Sequence, residues 1–229
     1  MPLAGHPEIL EVLKEETETV NVGGEWHSDL SCLEKPPLGS ILYALEVPPY
    51  GGDTLFTNMY LAYERLSGGR GLLDMLFAVH SDRTMSDPEA RDTKNETRSS
   101  KLNNRDVGET RNEHPVVRTH PETGRKALFV NSIFTIGFKG VTADESRPLL
   151  QFLFEQAQRP EVTCRFRWQN NSLAMWTTAA PSISRSTIIR DFGASCTASR
   201  STATGRTDPL GPDRLRHLSS AAARSAGPG

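Results

Sequence analysis

The chain has 229 residues, with 26 lysines and arginines against 28 aspartates and glutamates, a formal net charge of −2 and 36% hydrophobic residues. That length is enough for one substantial core, and the balanced charge, with neither a basic stripe nor an acidic tract, argues against nucleic acid or an anionic membrane as partner and for a small-molecule ligand. Cys32, Cys164 and Cys196 are too scattered for a zinc or dithiol motif, no apolar run reaches the length of a membrane span, and "MPLAGHPEIL" lacks the basic-then-apolar layout of a secretory signal, so the expected location is the cytoplasm.

In "HPEILEVLKEE" the spacing of Ile9, Leu10 and Leu13 predicts a short amphipathic helix. "GSILYALEVP", residues 39–48, is aliphatic and aromatic between Gly and Pro, which reads as a buried strand, and "PPYGGDT" then makes a tight turn. "NMYLAYERLS" and "GLLDMLFAVH" both have helical spacing: Met59, Leu61, Ala62 and Leu66 share one face, and Leu72, Leu73, Leu76 and Phe77 another. Residues 81–113 carry almost no apolar side chains over more than thirty positions, too many for a simple connector, and read as a lid or mobile insertion. "HPVVRTHPETGRKALFVN" is two β-rich runs about a Pro/Gly turn. "ADESRPLLQFLFEQAQ" aligns Leu149, Leu150, Leu153, Phe154 and Ala157 on one helix face, and "VTCRFRWQ" and "SLAMW" are strand-like. Strands on both sides of a few helices describe a β-rich core carrying helices outside. Beyond Trp176 the chain is dominated by Ser, Thr, Ala, Gly, Arg and Pro, shows no period, and is expected to bury little.

The chemistry-bearing pattern is "GGEWHSDLSC", residues 23–32, in which His27 and Asp29 lie two apart. A non-haem iron(II) that must bind dioxygen keeps three positions open, and two imidazoles and one carboxylate suit it. On a strand, residues i and i+2 share a face, so both heads would point the same way while Ser28 points away. The spacing alone is weak, because many surface strands carry such a pair.

The surrounding run "WHSDLSCLEKPPLGSILYALEVPPYGGDTLFTNMYLAYERLS", followed by "HPVVRTHPETGRKALFVN" and "FRWQNNSLAMW", closely resembles the TauD/TfdA family of iron(II)- and 2-oxoglutarate-dependent dioxygenases, in the family's order and from about Val20 to Trp176. The resemblance implies a mainly β fold with flanking helices, a double-stranded β-helix or jelly roll, incomplete here at its C-terminal end. It implies that His27 and Asp29 are the first two iron ligands and that Thr54 hydrogen-bonds the distal carboxylate of 2-oxoglutarate. Phe134 matches a position lining the substrate pocket, and Leu30 one whose main chain lies beside the substrate. By their own surroundings Thr54 reads as an ordinary turn-to-strand threonine and Phe134 as core. His114 and His120 both precede a proline in an expected hairpin and match no metal position in the family. The implied reaction hydroxylates a small organic acid or a sulfonate- or sulfate-type compound, consuming 2-oxoglutarate and O2 and releasing succinate and CO2, with ascorbate as reductant. The partner is then a small molecule, not nucleic acid or membrane, and self-association stays open.

Two departures qualify this. The family's third iron ligand is a histidine shortly after the tryptophan matched by Trp176, in a W-D-N-R…H run, and here no histidine occurs between His120 and His217. If one G was lost after the Trp176 codon, reading one base earlier forces aspartate at position 177 and allows Asn at 178, Arg at 179 and His at 183. On this reading residues 1–176 form the dioxygenase domain and 177–229 a frameshifted, low-complexity tail, expected to be disordered. Only 26 residues precede His27, fewer than in relatives, which suggests a misassigned or truncated start. Without the third ligand the chain is expected to be impaired. The alternative is a non-catalytic jelly-roll pseudoenzyme or small-molecule-binding module, and a metal-dependent hydrolase lacks any further acid or base near the pair.

Overall fold

The computed structural model describes residues 2–3, 6–14, 24–83, 109–121, 123–177, 187–191 and 198–202. Its strands are β1 (Pro2–Leu3), β2 (His6–Val12), β3 (Gly39–Ala44), β4 (Thr54–Asn58), β5 (Phe77–Ser81), β6 (Arg111–Pro115), β7 (Val117–Thr119), β8 (Lys126–Leu128), β9 (Thr135–Phe138), β10 (Thr163–Phe166), β11 (Leu173–Thr177), β12 (Thr187–Asp191) and β13 (Ala198–Thr202). Its α-helices are α1 (Met59–Glu64), α2 (Arg70–Leu73) and α3 (Ala143–Ala157).

Alternation along β11 shows how the strands are sided. Ala174 and Trp176 are buried while Leu173 and Met175 are exposed, as a pleated strand with one dry face requires. β11 pairs antiparallel with β3, and both lie in a five-stranded sheet of order β1-β2-β13-β3-β11. A three-stranded sheet, β10-β4-β12, faces it. Leu42 and Ala44 from β3, Ala174 and Trp176 from β11, Phe56 from β4 and Phe166 from β10 meet between them with Trp168 and Val47. This is the sandwich of a jelly roll, as the resemblance implies. Gly39 lets its two strands close up: a Cβ there would sit 2.4 Å from the Trp176 carbonyl oxygen.

A larger apolar cluster lies on the helical side, joining Met59, Tyr60 and Tyr63 of α1 to Leu150, Leu153 and Ala157 of α3 and to Val117, Ala127 and Leu128 of the β7–β8 hairpin. Helix α3 follows the expected apolar face. It starts at a capping box, in which the Thr142 hydroxyl accepts from Glu145 N and the Glu145 carboxylate accepts from Thr142 N. Thr57 Oγ1 donates to the Ala157 carbonyl at 2.6 Å, tying β4 to the end of α3. No helix among the described residues is long and apolar enough to cross a membrane.

Two expected helices are otherwise. Residues 6–12 form β2, paired with β1 and β13, instead of an amphipathic helix. The segment 71–80 is helical only to Leu73; Phe77–Ser81 is a strand clasped between β6 and β9, and Leu72 and Phe77 are exposed instead of sharing a buried face. In both, pairing with strands remote in sequence overrides a short run of leucines at helical spacing. Of the segment read as a lid, 84–108 lies outside the described residues; its ends are joined where Asp82 N donates to Thr110 O and Thr110 N to Asp82 Oδ1. Of the stretch after Trp176, Thr177 ends β11, residues 187–191 pair with β4, and 198–202 lie between β2 and β3. His217 lies outside the described residues.

Candidate functional site

His27 is an isolated bridge residue and Asp29 opens a turn, so the alternation expected of a strand does not operate here; Ser28 is itself buried. The two heads converge nonetheless. His27 Nε2 lies 3.5 Å from Asp29 Oδ1, a span that two ligands each about 2.1 Å from one ion can bridge. The far side of each group is held by protein. His27 Nδ1 is 2.7 Å from the Glu25 carbonyl, which accepts only, so the proton belongs on Nδ1 and the Nε2 lone pair faces Asp29. Asp29 Oδ2 accepts from Ser40 Oγ at 2.6 Å and from Trp176 Nε1 at 3.2 Å. An imidazole fixed by a carbonyl and a carboxylate fixed by outer donors are how proteins aim metal ligands. The donor set thus fits two positions of a two-histidine, one-carboxylate iron site. Among the described residues no third His, Cys, Asp or Glu completes a metal-binding group.

Thr54 is buried at the head of β4, and its Oγ1 accepts the Trp168 indole N–H at 2.9 Å. Phe56, two residues on and therefore on the same face of β4, packs its ring 5.5 Å from that of Trp176. The two tryptophans therefore link Thr54 and Asp29 across the sandwich. Leu30 follows Asp29 with φ +49°, a left-handed conformation uncommon for a side chain of its size. Phe134 is buried in the turn before β9, where its N–H donates to Asn131 Oδ1 and its carbonyl accepts from Ser81 N. It is absent from both apolar clusters.

His114 and His120 are buried and engaged elsewhere. His114 Nε2 donates to the Leu33 carbonyl at 2.9 Å and its Nδ1 accepts from Arg118 at 3.0 Å, while His120 Nδ1 accepts from Thr123 N. Burial, and then the Arg118 charge, hold His114 below the ordinary imidazole range. Sequence reasoning missed Ser40 and the orienting role of Trp176. It also missed His80, wholly buried on β5, whose pKa is pushed down to about 3 by burial and then by the charges of His114 and Arg118. A polar residue among apolar ones in "LFAVHS" was the one available signal.

Residues 3–180 match the family model described as taurine catabolism dioxygenase TauD, TfdA family. The chain is 38% identical over 155 residues to an alpha-ketoglutarate-dependent sulfate ester dioxygenase of Pseudomonas putida, a match covering 66% of this chain and 50% of that relative. In two other curated relatives the match spans 37% and 42% of the relative's length, so the chain corresponds to about half or less of these proteins. Among solved structures, a taurine dioxygenase from Burkholderia xenovorans superposes with a TM-score of 0.67 at 34% identity, covering 92% of this chain and 66% of that one. A structure of AAD-2 in complex with Mn(II) and N-oxalylglycine superposes with a TM-score of 0.65 at 29% identity, covering 82% and 70%. Sequence and fold agree, and the chain belongs to the TauD/TfdA family of dioxygenases.

Proposed function

We propose that this chain carries the first two iron(II) ligands, His27 Nε2 and Asp29 Oδ1, of a 2-oxoglutarate-dependent dioxygenase acting on a small organic acid or a sulfonate- or sulfate-type compound. The observation that carries the reading is the paired aim of these groups: Nδ1 and Oδ2 are each engaged by protein, and the remaining nitrogen and oxygen face one another at 3.5 Å. Relatives named for sulfate ester and sulfonate oxidation supply the substrate class.

With iron(II), 2-oxoglutarate and dioxygen bound, the chemistry supplied is decarboxylation of 2-oxoglutarate to succinate and CO2, one oxygen atom entering succinate and the other a substrate C–H bond as hydroxyl. The residues of this chain position and exclude. Ser40 and Trp176 hydrogen-bond one carboxylate oxygen of Asp29 and keep the group from rotating. The Trp168 indole fixes the Thr54 hydroxyl, which is assigned to the distal carboxylate of 2-oxoglutarate. Leu30 presents its main chain and Phe134 its ring to the substrate. Phe56, Phe166, Trp168 and Trp176 keep water from the carboxylate's back side. Ascorbate is assigned as the reductant that keeps iron ferrous.

The third ligand is assigned to position 183 of the chain as it reads with one base restored after the Trp176 codon; the chain as given is accordingly impaired. The Thr177 hydroxyl, the first group beyond that point, is buried with no hydrogen-bond partner among the described residues, as expected where sequence and surroundings no longer match. A non-catalytic jelly-roll binding module is the second reading, favoured by the two-donor set. Succinate formation from 2-oxoglutarate in air, with added iron and ascorbate, separates them. The frame-restored chain should form succinate and the chain as given little or none; no succinate from either overturns the enzyme reading.

A further inference from the structure

We propose that Ser31, His80 and Asn131 form a positioning relay that holds the loop following Asp29 in its left-handed turn, and thereby sets the aim of the Asp29 carboxylate. The inference rests on the reading of Asp29 as a metal ligand.

The loop needs an outside grip. Leu30, at φ +49°, adopts a backbone that a residue with a Cβ adopts only where its neighbours over-determine it. The loop's own bonds are few: Ser31 N reaches Ser28 O at 3.4 Å and Leu33 N reaches Leu30 O at 3.0 Å. Four side chains from remote elements supply the rest. Asn131 Nδ2 donates to Ser31 Oγ at 3.0 Å, and His80 Nδ1 lies 3.0 Å from the same oxygen. On the next two residues, Asn112 Nδ2 donates to the Cys32 carbonyl at 2.7 Å and His114 Nε2 to the Leu33 carbonyl at 2.9 Å.

The Asn131 amide has a determined orientation at Ser31. Phe134 N donates to Asn131 Oδ1, which fixes the amide so that Nδ2 faces Ser31. On the His80 tautomer that carries its proton on Nε2, the Ser31 hydroxyl accepts from Asn131 and gives its single proton to His80 Nδ1. His80 is in turn immobilised, its ring stacked 5.2 Å from that of Phe129 and its Nε2 beside Thr135 Oγ1. Every member is buried, so water cannot replace a lost partner. Leu30 therefore sits between two gripped residues: Asp29, held through Oδ2 by Ser40 and Trp176, and Ser31, held through Oγ by His80 and Asn131. Releasing the second grip lets Leu30 relax to negative φ and turns Asp29 away from His27.

The test uses the whole chain and two readouts: amide hydrogen exchange of residues 30–33, and titration with cobalt(II) alone followed by its visible absorption. His80→Phe keeps the stack on Phe129 but removes the acceptor, Ser31→Ala removes the donor, and His80→Asn returns an oxygen to the position of Nδ1. Leu153→Ala, in the helix-side core, is the control for general destabilisation. His80→Phe and Ser31→Ala should each speed exchange at 30–33 about tenfold and weaken cobalt binding roughly 10–100-fold. The double variant should be no worse than the stronger single one, because one bond is shared, and His80→Asn should recover most of both effects. Leu153→Ala should lower Tm and leave both readouts unmoved. Normal exchange at 30–33 in His80→Phe, or a change that merely tracks Tm as Leu153→Ala does, overturns the relay. Failure of both the unsubstituted chain and its frame-restored form to take up cobalt defeats the ligand reading of Asp29, while the exchange readout still decides whether the relay grips the loop.

Discussion

The helix-side core and the cluster between the two sheets solve different problems with different side chains. The first joins Leu150, Leu153, Leu128, Val116, Met59 and their neighbours, and its polar links, such as Thr57 to the Ala157 carbonyl, serve only to tie elements together. The second is smaller and built from Trp168, Trp176, Phe56 and Phe166, and both indole N–H groups are spent on residues assigned to the site, Thr54 and Asp29. An aliphatic side chain can exclude water but cannot orient a carboxylate; an indole does both. Stability and aim are thus carried by separate parts of the molecule, and substitutions can separate them.

The largest effect falls on the first region. Leu153→Ala removes a fully buried side chain and should cost about 2–5 kcal/mol in urea unfolding, with cobalt affinity unchanged; a large loss of affinity would break the division between the two regions. Acid comes next. The folded chain keeps His80 neutral down to about pH 3, whereas the unfolded chain takes up that proton near its ordinary value of about 6.5, so the unfolded state holds more protons in between. Stability should therefore be full above about pH 6.5 and fall by about 1.4 kcal/mol per pH unit below it, with His114 adding to the slope. The slope, read from denaturant midpoints across that range, should drop by about one proton in His80→Asn.

In the second region, Trp176→Phe keeps most of the ring packing and loses the N–H to Asp29. Cobalt affinity should fall roughly 10–100-fold, with a loss of stability of only about 1 kcal/mol. Equal losses in both would mean that the indole packs and does not aim. The smallest effect should come from Thr142→Ala, which removes the capping box of α3 for about 1 kcal/mol and sharpens the comparison as a helix-side change that spares the site.

Elements whose partners are near in sequence, or whose pattern is long, were legible: α3 from its apolar face, β3 from its aliphatic run, the β7–β8 hairpin from its Pro/Gly turn. β2 and β5 were not, because what makes them strands is pairing with β13 and with β9, and short leucine spacings at 9–13 and 72–77 mimic a helix. At the site, the residue types of His27 and Asp29 were readable, but the reason for their convergence was not. It lies in a turn with a left-handed leucine, for which the sequence offers no glycine or asparagine as a signal. The groups that aim them come from Ser40 and Trp176, and the loop behind them is held from residues 80 to 131; such separations leave no periodicity to detect.

The bond from Trp176 to Asp29 crosses 147 positions of chain. During synthesis on the ribosome, the imidazole and carboxylate emerge early, and the indole that orients them emerges only after β1 to β10 have been made. If the pair holds ferrous iron as proposed, iron offered to a nascent chain would meet an unaimed pair, and metallation would follow closure of the β3–β11 ladder instead of guiding it.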